Sequence, residues 1–438
     1  MSYIVTITIL IILMIREFYR YKSIISATVI YPIMWIIALS GLLIEKEYFQ
    51  VSIIVLLTIV FGYILFCTGF HIRARTKQKI SSSKEVFQDY NSFGLELCYC
   101  ISLLVGLIYI YLMRHFLSLT NFVASLSSIR QGIRQNELKI PVFLNYFSAF
   151  VRCTLYYSWA IWLRRKKQLI FEVGRNNKIY VSLRNKCIIL SLLYVVILMT
   201  SFSRNSLLFF ALPIVFIVFI EKDCSNRIII ISLVILLGLF LVFFFWFSQY
   251  KANYLFEGRN YWDVAFENLF LYLSGGIVGL DQLLQKGSLS FFCFNGLSHT
   301  FSLVTSIIDK LFGTHITPSV VQSGIMIGNS TSTNVFTVYQ WTALDLGLVY
   351  AVMMQFFLGL LYGELYKRVC NGSIHGTYWY SFLSYSLVMM FFQDQYFSIS
   401  QSWFNLLLTS ILIYYLLFKL PIRITIHTRT IRRERNGL

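Results

Sequence analysis

The sequence predicts an all-α polytopic membrane protein with about eleven transmembrane helices and one large extracytoplasmic loop. Three observations carry that reading. Hydrophobic residues fill 57% of the 438 positions and charged residues only 13%, about half the charge of a soluble domain. Apolar runs recur from one end of the chain to the other, many approaching the roughly 20 residues needed to cross a bilayer as a helix. These runs are continuous instead of alternating, which excludes a transmembrane β-barrel.

The spans fall at 3–15, 24–44, 51–70, 92–113, 141–163, 187–202, 206–220, 228–247, 342–365, 378–392 and 401–418. The first run is followed at once by "REFYRYK" and has no small-residue cleavage site, so it reads as a short first span and not as a signal peptide. Three regions result: helices 1 to 8 over 1–247, a loop over 248–341, and helices 9 to 11 with a basic tail over 342–438. The net charge of +18 would suit a nucleic-acid binder, but it is not spread over one surface. Of 37 lysines and arginines, 26 lie in one set of alternating loops and 10 in the other. That asymmetry is the positive-inside pattern; it puts the C-terminus in the cytoplasm and the N-terminus outside, with no nucleic-acid partner implied.

The run from Cys187 to Ile220 has a single ionised residue, Arg204, in 34 positions. As one helix it would be about 51 Å long at ~1.5 Å per residue, too long for a bilayer core of ~30 Å. It is therefore expected to be a hairpin that turns at "SFSRN", with Arg204 at the outer boundary. Loop 248–341 is rich in aromatics and leucine and so is not expected to be disordered. Within it, Leu297, Phe301, Val304, Ile308 and Leu311 share one helical face. "VAFENLFLYLSGGIVGLDQLL" (264–284) reads as a helix on or dipping into the outer leaflet; the alternative is a hidden pair of spans. In loop 114–140, Arg130 and Arg134 stand four apart and would share a helix face.

Five of the eight cysteines lie in or beside spans, where cysteine acts as a small hydrophobe. Only Cys293 falls outside, so no extracytoplasmic disulfide can form within the chain. No HExxH, Walker A, GxSxG or His/Cys cluster occurs, and neither a metal nor another cofactor is expected. Glu45 and Glu47 sit in a loop of about six residues and read as solvated charge. What the outer side offers is arginine, whose planar fork grips phosphate oxygens at two points at any working pH. Arg204 at a helix start adds free backbone N–H groups to the same anion. Arg259 stands beside Tyr261 and Trp262, whose rings suit sugar faces. Arg152, Glu96 and Glu364 are charges at membrane depth; Arg152 and Glu96 are candidates to pair with each other.

With its "SFSRNSLL" turn, "YLSGGIVGLDQLL" and "NSTSTNVFTVYQWTALDLGLVYAVMMQFFLGLLYGELYKR" in this order around one late loop, the chain resembles the bacterial O-antigen and capsule repeat-unit polymerases (Wzy type), and more distantly the O-antigen ligases. The resemblance implies a GT-C-like architecture in the bacterial inner membrane and a role in lipopolysaccharide or other polysaccharide biosynthesis. It implies metal-independent transfer of a glycan from undecaprenyl diphosphate onto a new lipid-linked repeat unit at the periplasmic face. Membrane lipids and a separate chain-length regulator are the expected partners. Arg204 matches the family's hairpin arginine and Arg259 its large-loop arginine, with Arg130 and Arg134 as further diphosphate contacts. Tyr261, Trp262, Asn334 and Tyr339 are the sugar-side candidates. Asp345 or His299 would be the general base. Ligases carry a histidine where this chain has Thr333, which favours polymerase over ligase. The alternative readings are a ligase or a lipid-linked oligosaccharide flippase; the latter usually shows repeated halves, and none is visible here.

Overall fold

A computed structural model describes residues 2–44, 50–74, 90–116, 142–171, 177–201, 204–252, 261–314, 325–327, 331–333 and 335–420. It is a helical membrane protein. The elements are α1 (Ser2–Tyr21), α2 (Ala27–Ile44), α3 (Ile53–Ala74), α4 (Ser92–Phe116), α5 (Val142–Phe171), α6 (Asn177–Ser201), α7 (Arg204–Glu221), α8 (Asn226–Ala252), α9 (Tyr261–Gln285), α10 (Ser302–Phe312), the strands β1 (Ile325–Ile327) and β2 (Thr331–Thr333), α11 (Gln340–Leu346), α12 (Leu348–Cys370), α13 (Ile374–Met389) and α14 (Ser400–Phe418). The two strands pair antiparallel, Ile325 opposite Thr333. A helix occupies each predicted apolar segment, and six of the described helices are long and apolar enough to cross a membrane. Their outer faces carry exposed Leu, Ile and Phe, among them Leu104, Leu107, Leu192, Phe357 and Ile411. A bilayer covers such a surface without cost.

The long run from Cys187 is divided, as its length required: α6 ends at Ser201 and α7 begins at Arg204. The predicted span 342–365 begins differently. α11 stops at Leu346, and α12 starts after Gly347, whose φ of +96° breaks the helix. A Cβ at Gly347 would lie 2.6 Å from the Phe291 carbonyl, so glycine is needed both for the dihedral and for the approach of 290–292.

The closest helix pairing is α3 against α12. A Cβ on Gly69 would stand 2.1 Å from the Phe356 carbonyl, and one on Gly359 2.1 Å from that of Phe66. Gly359 and Gly363 form a G-x-x-x-G step that lets the two backbones touch. Buried tyrosines fill the space around this pair and find partners: Tyr31 Oη is 3.0 Å from Tyr339 Oη, and Tyr362 Oη donates to the Leu383 carbonyl at 2.6 Å. Two cores result. One gathers α1–α3, α9, α11 and α12; the other gathers α4–α6 and α14, and α7 and α13 contribute to both.

α5, α7 and α12 all begin at the same end of the bundle, and α9 crosses that end. Its first turns meet α8 through Phe245, 5.5 Å from Phe266. Its middle packs on Phe392 through Tyr272, ring to ring at 4.9 Å, and Ser274 Oγ donates to the Ala38 carbonyl. Near its C-terminus Asp281 accepts from the Ser52 backbone N–H at 3.0 Å. Gly275-Gly276 does not break it, because Gly276 is where the Phe391 carbonyl comes within 2.6 Å of a would-be Cβ. The segment is thus one transverse helix, and the folded-back pair of spans is not formed.

At the opposite end, Arg164 binds Glu221 at two points, 2.5 and 2.9 Å, and donates to the Gly372 carbonyl. His71 joins Glu17 there at 2.6 Å. Glu96 pairs with Lys186, not with Arg152; that expected pairing is corrected, because Arg152 faces α6, α7 and α13. Glu364 pairs with Arg368 one turn on.

Candidate functional site

The end crossed by α9 also holds the cluster with the chemistry expected of a proton-transfer site. Chain 290–300 wraps the junction of α11 and α12 by backbone bonds: Cys293 N–H to Leu346 O, Asn295 N–H to Asp345 O, and Leu348 N–H to Ser290 O. This strap sets His299 against α11. On α11, Trp341 and Asp345 are four residues apart and therefore share a face. Both meet the histidine: its ring lies over Trp341 at 5.0 Å and 19°, and its Nδ1 is 2.7 Å from Asp345 Oδ1.

Asp345 is fully buried. Its carboxylate also accepts the backbone N–H groups of His299 at 3.1 Å and Thr300 at 2.6 Å. Burial acts to raise its pKa, but the His299 ring bond and the Thr300 and His299 backbone bonds outweigh it and hold the carboxyl below its ordinary value. An ionised acceptor at this distance assigns a hydrogen to Nδ1, so that in the neutral ring the lone pair is on Nε2. The histidine side chain keeps 26% of its exposure, so the acting atom is Nε2. The two candidates for general base are therefore one unit: His299 can exchange a proton with a substrate, and Asp345, sealed from solvent, orients it. Trp341, which the sequence reading passed over, supplies the platform. Its spacing from Asp345 within "QWTALDL" was the available signal.

Other predicted residues are placed as follows. Arg204 is the first residue of α7 and Tyr261 the first of α9; their side chains lie outside the described residues. So do Arg130, Arg134, Arg259 and Asn334 entirely. Trp262 is exposed near the start of α9, tilted against Phe245 at 5.9 Å. Tyr339 is corrected as a sugar contact: it is fully buried, stacked on Trp35 and bonded to Tyr31, because Gly62 on α3 leaves the space its hydroxyl fills, 2.1 Å from where a Cβ would stand. Thr333 is buried too, its hydroxyl engaged with Val335. Asp394, in the turn after α13, is fully buried; burial pushes its carboxyl up to about 7 despite bonds from the Tyr396 and Phe397 N–H groups. Its Oδ2 has no hydrogen-bond partner among the described residues. No family model, no curated protein and no solved structure matches this chain.

Proposed function

We propose that the protein is a repeat-unit polymerase of the O-antigen or capsule type, moving a glycan from undecaprenyl diphosphate onto a new lipid-linked repeat unit. The observation that carries the reading is the Asp345–His299 pair on its Trp341 platform, at the bundle end where α7 starts with Arg204. We read eleven crossings in the inner membrane, α1–α8 and α12–α14, with this end facing the periplasm, where such substrates are presented.

His299 Nε2 takes the proton from the acceptor sugar hydroxyl. The oxygen's electron pair forms the new bond to the anomeric carbon as the bond from that carbon to the phosphate oxygen breaks. The departing diphosphate takes the electrons of that bond. General-base assistance of this kind is worth about 10²–10⁴ in rate. Arg204 and Arg259 supply charge to the leaving group, where preorganised donors contribute most. No metal enters the step.

The test is the gel pattern of surface polysaccharide in a deletion strain. Single-repeat material without a ladder, restored by wild type and not by His299→Gln, is the expected result. Loss of all surface glycan with lipid-linked units retained inside would instead identify a flippase. Full ladders that are never joined to lipid A core would identify a ligase.

A further inference from the structure

Arg152 lies ten residues into α5, about 15 Å along the helix at ~1.5 Å per residue, with only 8% of its surface exposed. Its guanidinium carbon sits 4.5 Å from the Phe209 ring on α7, 5.7 Å from Tyr194 on α6 and 5.9 Å from Phe382 on α13. No carboxylate is among these neighbours. Its Nε is buried without a partner, and among the described residues Arg152 makes no hydrogen bond or ion pair. Cation–π contact engages a face of the guanidinium and leaves the N–H edge unspent. The surroundings are fixed: Tyr156 Oη, one turn on in α5, donates to the Phe209 carbonyl at 3.1 Å and reaches that of Phe210 at 3.3 Å.

A charge at membrane depth ordinarily faces a partner or a cavity, and an uncompensated one is strongly destabilising. We propose that Arg152 is the base of an anion site that takes the phosphate or diphosphate group of a lipid. Phe209 is only five residues from the start of α7, roughly 7 Å along the axis. The guanidinium against that ring thus lies between one and two turns below a helix start whose first backbone N–H groups lack helical partners. A planar fork with free donors matches phosphate oxygens at two points. Its place among three rings, below the start of α7, suits a headgroup that arrives with an apolar tail. The site deepens the proposed polymerase reading by putting a diphosphate cradle beneath Arg204, yet it is tested by binding alone.

The experiment uses the full chain purified in neutral detergent, with thermal melting followed as farnesyl diphosphate or inorganic diphosphate is added. Farnesyl diphosphate is expected to raise the wild-type Tm. Arg152→Leu should weaken that binding at least about tenfold, as loss of a charge-assisted contact does, while His299→Gln binds normally. Without ligand, Arg152→Leu should melt no lower than wild type, because it removes an unpaired buried charge. Stabilisation by inorganic diphosphate at equal concentration would keep the anion site but name a free phosphate as its source. Equal responses of wild type and Arg152→Leu, or no response of either, would overturn the site. So would a leucine variant less stable than wild type, since the aromatic cage would then be the arginine's purpose.

Discussion

Asp345→Asn isolates what the buried carboxylate does for His299. Oδ1 holds the ring Nδ1 at 2.7 Å, and Oδ2 holds the Thr300 N–H at 2.6 Å and the His299 N–H at 3.1 Å. An amide has one oxygen. The backbone donors cannot turn, so the oxygen stays with Thr300 and the NH2 group faces Nδ1. That selects the tautomer with its hydrogen on Nε2 and removes the base without moving the ring, an effect known from the serine protease triad. The full base contribution of about 10²–10⁴ is at stake, so transfer should fall about 10³-fold, roughly 4 kcal/mol of barrier. Stability should fall by about 1–3 kcal/mol through the lost charge-assisted bond. Single-turnover extension of a synthetic lipid-linked repeat unit, read on a gel, measures the rate. His299→Gln should match it, and the double variant should be no worse than either, because the pair acts as a unit. A folded Asp345→Asn enzyme within tenfold of wild type, or a double variant whose losses multiply, would refute the dyad.

Arg204→Ala should abolish ladder formation with little change in Tm, and Arg204→Lys should fail as well if two-point recognition of diphosphate matters; near-normal ladders in both would remove the anchor. Asp394 has its carboxyl raised from 3.8 to about 7, so the stability it contributes is complete below pH ~4 and is lost as pH rises through 7, up to about 4 kcal/mol at 1.36 kcal/mol per tenfold. Melting curves from pH 5 to 8 should therefore fall for wild type and flatten for Asp394→Asn. Asp345, lowered, acts in the opposite sense: its contribution is present above the ordinary carboxylate range and fades on acidification below it. Gly359→Leu should disrupt packing, since even a Cβ there meets the Phe66 carbonyl at 2.1 Å; an unchanged Tm would show that α3 and α12 separate freely.

The hairpin between α6 and α7 and the helical character of 264–284 were legible in the sequence, and the amphipathic face over 297–311 in part, since that helix begins only at Ser302 and leaves Leu297 and Phe301 outside it. They depend on length and periodicity, which a bilayer and a helix impose locally. The apolar face of α10 was legible for the same reason, and Val304 and Leu311 on it are exposed. Asp345 and His299 were each legible as chemistry but not as a pair, since 46 positions separate them and only the strap over Gly347 brings them together. Tyr339 and Arg152 were misjudged for a related reason: burial and partnership are set by what other helices present, and no spacing within α5 or α11 encodes that.

By itself, then, the sequence determined that this chain lives in a membrane as helices, because only helices and closed barrels satisfy the backbone in lipid and its apolar runs are continuous, not alternating. It also determined which charges stand near helix ends. Only the tertiary structure decided which of them meet. The His299 proton is assigned by a carboxylate from another element, α9 is brought against the turn after α13 by Gly276, which admits the Phe391 carbonyl, and Arg152 is left unpaired among three rings from three helices. Local solvent preference is written residue by residue; the pairing of polar groups is a property of packing.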